Sequence, residues 1–236
     1  MRSLILSALI ILALGSCSTY QYVTLYSPEM KKNEGQDLVY ENDTLRLTYN
    51  FNGKGGPITI SVYNKTNQAL FVDWNKSAMV RDGHAYSLSN PNVQVTGSIW
   101  TYGRRVSYGD LNASFSMPDD VNMIPPSSDI SKTLKAIVDS SSISREFLPD
   151  SAKVIKGYYS DGGSYQFKRY HFDEGSSPLR FRSYLTFVLG NNSAMGFSLS
   201  HAFYAGDVVL TREDPNFFAE YHRGGDKMYL KQSDTD

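Results

Sequence analysis

Residues 44–51 read TLRLTYNF, and this stretch decides the fold. Leu45, Leu47, Tyr49 and Phe51 alternate with Arg46, Thr48 and Asn50. A period of two is that of a strand with one face buried and the other in water. Gly53-Lys54-Gly55-Gly56-Pro57 follows as a turn between strands, and Ile58, Ile60 and Val62 then alternate again. Asn64-Lys65-Thr66-Asn67-Gln68 forms the next turn. Leu70, Val72 and Trp74 make a third run, with Trp74 on its core face. Three alternating runs joined by short turns argue an antiparallel sheet.

Working outward, the pattern persists. Asp82-Gly83 is a hairpin signal between Ala78-Met79-Val80 and Ala85 to Leu88. Aromatic-rich runs occupy Ala152 to Tyr159, Ser164 to Phe172, Phe181 to Leu189 and Ala194 to Phe203. Asp161-Gly162-Gly163 and Gly190-Asn191-Asn192 separate two of the pairs. Val208 to Leu210 and Met228 to Leu230 add short strands, and Leu38-Val39-Tyr40 starts another. Ile130 to Val138 and Ser142 to Leu148 are the two segments that favour a short helix. The 17 tyrosines, 12 phenylalanines and 18 glycines suit strands and turns. The expected fold is all-β, a sandwich of two packed antiparallel sheets.

The amino-terminal segment carries a different message. One basic residue, Arg2, precedes an apolar run from Leu4 to Leu14, then Gly15-Ser16-Cys17. That is a secretory signal pattern, and the run is shorter than the roughly 20 residues needed to span a bilayer. Leu14-Gly15-Ser16-Cys17 resembles the bacterial lipobox. The resemblance implies cleavage before Cys17, with acylation of its sulfur and of the new amino terminus. Several acyl chains stabilise membrane residence where one alone is marginal. Cys17 is the single cysteine, so no disulfide stabilises the exported domain.

The stretch ITISVYNKTNQALFVDWNKSAMVRDG, Ile58 to Gly83, resembles the front half of an immunoglobulin-like β-sandwich found in uncharacterised lipoproteins of the Bacteroidota. Met123-Ile124-Pro125-Pro126-Ser127-Ser128 resembles a segment downstream in such chains. The family brings no activity or site, but it implies an immunoglobulin-like sandwich in the cell envelope. In those lipoproteins an acidic run after the cysteine marks export to the cell surface. Here Ser18 to Tyr22 lacks acid, which points to the periplasmic face of the outer membrane.

The domain reading is a signal peptide at 1–16, an acylated amino terminus and tether at 17–37, and one elaborated β domain at 38–236. Residues 89–120 read as an inserted loop region. Two small β domains meeting near 140–150 are the alternative.

Several chemistries lack support. The only thiol is the lipid site, and no Gly-x-Ser-x-Gly elbow or Ser-x-x-Lys appears. The four histidines, His84, His171, His201 and His222, are widely spaced and read as ordinary strand or loop residues. His201, Glu213, Asp214, Glu220 and His222 lie near one another in sequence, but without a metal-ligand spacing. No cofactor is implied. A net charge of −1 disfavours nucleic acid. Asp43-Thr44-Leu45 and Asp150-Ser151-Ala152 resemble a three-residue O-glycosylation signal, which is too short to carry weight.

Two functions therefore stand beside each other. One is a membrane-anchored, non-catalytic domain that binds another envelope protein. The alternative is a lipoprotein that binds carbohydrate or a small ligand in nutrient capture. For the alternative, Trp100, Tyr102 and Arg104 are the candidate ligand residues, because glycine and polar residues surround Trp100. Tyr158-Tyr159 is a second aromatic pair, although Tyr158, in a strand, is expected in the core.

Overall fold

The computed structural model describes residues 19–89, 120–134, 143, 148–149, 152–159, 161–190 and 196–232, together with the backbone of 92–101 and 107–116. Among these residues every regular element is a strand. In chain order they are β1 (Thr19–Tyr26), β2 (Lys31–Lys32), β3 (Leu38–Glu41), β4 (Leu45–Asn50), β5 (Gly53–Lys54) and β6 (Ile58–Asn64). Next come β7 (Leu70–Arg81), β8 (His84–Ser87), β9 (Asn92–Thr101), β10 (Ser107–Ser116), β11 (Val121–Ile124) and β12 (Asp129–Leu134). The last are β13 (Lys153–Tyr158), β14 (Ser164–His171), β15 (Arg180–Leu189), β16 (Gly196–Thr211) and β17 (Lys227–Gln232).

The alternation that opens the sequence argument holds residue by residue. Leu45, Leu47 and Tyr49 of β4 and Ile58, Ile60 and Val62 of β6 are wholly buried, while Arg46 between them is exposed. These strands sit in a five-stranded antiparallel sheet of order β12-β6-β4-β3-β2. The ten-stranded sheet runs β11-β7-β15-β16-β1-β17-β5, with β8 on β7 and β13-β14 joined to β16. Among the described residues, β9 and β10 pair only with each other.

The two larger sheets face each other across one core. The Tyr49 hydroxyl lies 2.8 Å from Ser183 Oγ of the opposite sheet, and Phe51 packs edge-on against Phe181 and Phe203. A single cluster of buried side chains draws on residues from Val23 to Leu230. Asp82 (φ 52°) and Gly83 (φ 78°) form the two-residue turn between β7 and β8, as the Asp-Gly pair requires.

β16 branches the larger sheet. Its first half pairs with β15, and its second half lies between β14 and β1. The β1 register shifts between Thr24, opposite Asp207, and Leu25, opposite Ala205, so Gly206 is the extra residue of a bulge. The Tyr26 ring lies where a Gly206 side chain would stand. The sequence reads β16 as two strands, and the bulge shows why: alternation breaks at Gly206 while pairing continues.

Other expectations are corrected. Residues 19–26, assigned to the tether, form β1 between β16 and β17. Val23 and Leu25 face the main core while Tyr20 and Tyr22 face a second cluster, so both faces are buried and polar alternation is lost. The helix expected from Ile130 is strand β12, whose Ile130, Lys132 and Leu134 are half-buried against exposed Asp129, Ser131 and Thr133. Pairing with β6 overrides a weak helical preference there. The 89–120 loop region contains the β9–β10 hairpin. Residues 135–142 and 144–147 lie outside the described residues.

Candidate functional site: a tyrosine-floored cleft beside the 212–226 segment

The outer faces of β1, β14, β16 and β17 carry Tyr20, Tyr22, Tyr165, Phe167 and Val209, with Tyr229 half-buried beside them. An aromatic sheet face needs a cover, and the 212–226 segment between β16 and β17 supplies Phe218 and Tyr221. Ring centroids of Tyr22 and Phe218 are 4.8 Å apart, and those of Tyr22 and Tyr221 are 4.9 Å apart.

Polar tips fix this cover in place. The Tyr22 hydroxyl donates to the Glu213 carbonyl at 2.7 Å, and Tyr20 donates to Asp214 Oδ2 at 2.9 Å. Asp214 Oδ1 accepts from the Asn216 backbone N–H at 3.0 Å. That backbone donor and then the Tyr20 hydroxyl hold the Asp214 carboxyl below its ordinary range. Burial pushes the Tyr20 and Tyr22 phenols up, so both remain neutral donors at neutral pH.

A cleft of about 380 Å³ opens where this segment meets β17. Tyr20, Tyr221 and Tyr229 form its floor. Its rim carries Lys54, Arg223 and Lys231, with Asp214 as the sole acidic lining residue among those described. The glycine-rich 53–56 turn explains how Lys54 arrives there. Gly53 has φ 134° and pairs alongside Met228, and the Gly55 N–H donates to the Tyr229 carbonyl at 2.8 Å. Only glycine readily adopts such a φ, so the turn lies flat on β17 and carries Lys54 to the rim. None of the three cations is in ion-pair contact with a carboxylate among the described residues. Arg223 instead donates to Asn216 Oδ1 at 2.6 Å.

On the other flank of the segment a cleft of about 300 Å³ pairs most of its own charges. Lys32 meets Asp226 at 2.5 Å, Arg169 pairs with Glu220, and Tyr26 donates to Asp207 at 2.9 Å. Its third cation, Lys227, donates only to the Glu220 carbonyl, at 3.4 Å. The first cleft therefore holds more cations outside ion-pair contact, three against one lysine among the described residues.

The residues singled out from the sequence fare differently. Cys17, Tyr102 and Arg104 lie outside the described residues, and Trp100 is described only as backbone in β9, opposite Tyr108. Trp74 is wholly buried, as expected. Tyr158 is 65% exposed, against the expectation of a core residue, because β13 is an edge strand and its 154/156/158 face lies beyond the core. The His201 to His222 group does not converge: Asp214 bonds Tyr20, Glu220 pairs with Arg169, and His201 sits in the other core. What the sequence reading missed is the Tyr20, Tyr221 and Tyr229 floor. Its one local signal is the tyrosine at alternate positions in Tyr20-Gln21-Tyr22.

His201 is buried between Tyr40 and Tyr49, and its Nδ1 has no hydrogen-bond partner among the described residues. Burial lowers its pKa, and the Glu29 charge only partly offsets this. The folded state therefore binds fewer protons than the unfolded chain. This contribution to stability is complete above the ordinary histidine value of 6.5 and is lost as pH falls below it. Between pH 7 and 5, the unfolding free energy should fall by at most about 1.4 kcal/mol per pH unit from this group. A His201→Gln variant should show a flatter profile in urea titrations; identical slopes in both proteins would assign the acid sensitivity elsewhere.

Compared with known proteins, the chain matches no family model, no curated protein and no solved structure.

Proposed function

We propose that the protein is a lipid-anchored, non-catalytic domain of the bacterial cell envelope, immunoglobulin-like in its packed sheets, that binds another envelope protein. The observation that carries this reading is the edge strand β13. Among the described residues it pairs only with β14, and it presents Val154 and Tyr158 at 60% and 65% exposure. An open edge beside exposed apolar side chains suits the addition of a strand from a partner. Anchoring at Cys17 on the periplasmic side of the outer membrane would hold that edge close to the bilayer, because β1 begins at Thr19.

Both parts are testable. A photo-crosslinking residue at Val154 should trap one envelope protein in intact cells, and one at Asp129, an exposed site in the other sheet, should not. Adducts of the same pattern from both positions would refute a specific edge contact. Metabolic labelling with an acyl analogue should mark the wild type and not Cys17→Ala. Equal labelling would exclude acylation at Cys17.

A second reading, capture of a carbohydrate or another small ligand, is favoured by one observation of its own. The tyrosine-floored cleft holds three cations that make no ion-pair contact among the described residues, against one carboxylate, Asp214.

A further inference from the structure

We propose that the cleft beside the 212–226 segment binds an acidic sugar, a pyranose bearing a carboxylate. The proposal rests on the ligand-capture reading and names the ligand class for that site.

Three features of the cleft converge on this class. The first is charge. Lys54, Arg223 and Lys231 line one cavity with no carboxylate in ion-pair contact among the described residues, whereas the neighbouring cleft pairs Lys32 with Asp226 and Arg169 with Glu220. Asp214 offsets one of the three charges, acting most directly on Lys231, so the described lining keeps an excess of two positive charges. An anion entering the cleft meets that excess. The Arg223 guanidinium, held by one bond to Asn216, retains N–H groups for paired contact with a carboxylate.

The second feature is the floor. Ring centroids of Tyr20 and Tyr229 are 6.4 Å apart and those of Tyr221 and Tyr229 are 5.7 Å apart, with planes inclined at 52° and 77°, so buried Tyr20 and Tyr221 buttress the half-buried Tyr229 ring, which is the surface open to a ligand. Tyrosine offers an apolar surface with a polar tip, matched to the C–H face and hydroxyl edge of a sugar ring. The Tyr229 hydroxyl has no hydrogen-bond partner among the described residues, which leaves it for the ligand. The third is size. About 380 Å³ stands at the low end of the roughly 300–1,000 Å³ of small-molecule sites, which suits one or two sugar rings. An aliphatic acid would need an apolar channel, and the described lining has no aliphatic side chain except Pro215 and the lysine and arginine stems.

The test is calorimetric titration of the purified protein with three probes. These are a disaccharide containing glucuronic acid, the same disaccharide with glucose in its place, and benzoate. The uronate disaccharide should bind, with the neutral one and benzoate each weaker by about tenfold or more. Lys54→Ala combined with Arg223→Ala should weaken uronate binding by about tenfold or more. Both residues are exposed, so the midpoint of thermal unfolding should not change. Lys153→Ala with Lys156→Ala, on β13, removes the same charge elsewhere and should leave binding intact. Equal binding of the neutral disaccharide would overturn the acidic specificity while leaving the ligand-capture reading standing. Equal binding of benzoate would overturn the sugar. Binding of none of the three would overturn both this proposal and the reading beneath it.

Discussion

Replacing Trp74 by alanine should lower the unfolding free energy by about 3–5 kcal/mol, the range for deleting a large buried aromatic side chain. The indole is wholly buried, its Nε1–H donates to Asn122 Oδ1 at 2.8 Å, and the Lys132 ammonium lies 4.7 Å from the ring. Asn122 belongs to the same sheet as Trp74, and Lys132 belongs to the other. The side chain thus joins the layers as well as filling the space between them. Trp74→Phe should lose less, because most of the apolar volume stays and one hydrogen bond goes. Urea unfolding followed by circular dichroism gives both values. A loss below about 1 kcal/mol for the alanine variant would show that the layers close over the gap.

Asn64→Ala should be the second most damaging of the single changes considered, at about 2–4 kcal/mol, since buried groups left without partners cost about 1–3 kcal/mol each. Asn64 is wholly buried at the end of β6. Its amide nitrogen donates to the carbonyls of Gln68, Ile124 and Pro125 at 2.7, 3.0 and 3.1 Å. Its oxygen accepts from the backbone and hydroxyl of Thr66 at 2.9 and 2.8 Å. One side chain therefore ties the β6–β7 turn to the β11–β12 turn, and each turn crosses between the sheets. Asn64→Asp should be as harmful, because a carboxylate can only accept and would face the three carbonyls. An unfolding midpoint within error of the wild type for either variant would mean that water replaces the amide.

These two residues lie in the stretch from Ile58 to Gly83, and their places explain its character. Asn64 fastens a turn and Trp74 fills the core. Ser77 closes a bulge in β7: its hydroxyl donates to the Asp73 carbonyl at 2.6 Å and accepts from the Thr186 N–H at 3.0 Å. Beyond that bulge the inward face changes parity, so Met79 is buried where continued alternation from Trp74 would have placed Ala78. The pattern of residues in this stretch is structural in origin.

Where one face of a strand meets water, the sequence is easy to read, and β4 and β6 are the cases in point. Where both faces are covered, as in β1, the alternation disappears and the segment passes for a tether. Where a strand is held mainly by one neighbour, as β12 is by β6, local preference misleads. Tyr158 failed for a related reason: period identifies a strand's two faces but not whether a second layer lies over either. The candidate ligand residues Trp100, Tyr102 and Arg104 are neighbours in the sequence. The cleft is assembled from positions 20, 52–54 and 214–231, which no local window contains.

The sequence by itself determined that the chain is built of strands, where its clearest turns fall, and that Trp74 belongs inside. Those properties rest on side-chain period and turn stereochemistry, which act over a few residues. Only the tertiary structure decided that β16 bridges two parts of one sheet, that the 212–226 segment covers an aromatic face, and that Lys54 reaches the rim beside Arg223 and Lys231. Long-range strand pairing sets those distances, and it follows from the packing of the whole core.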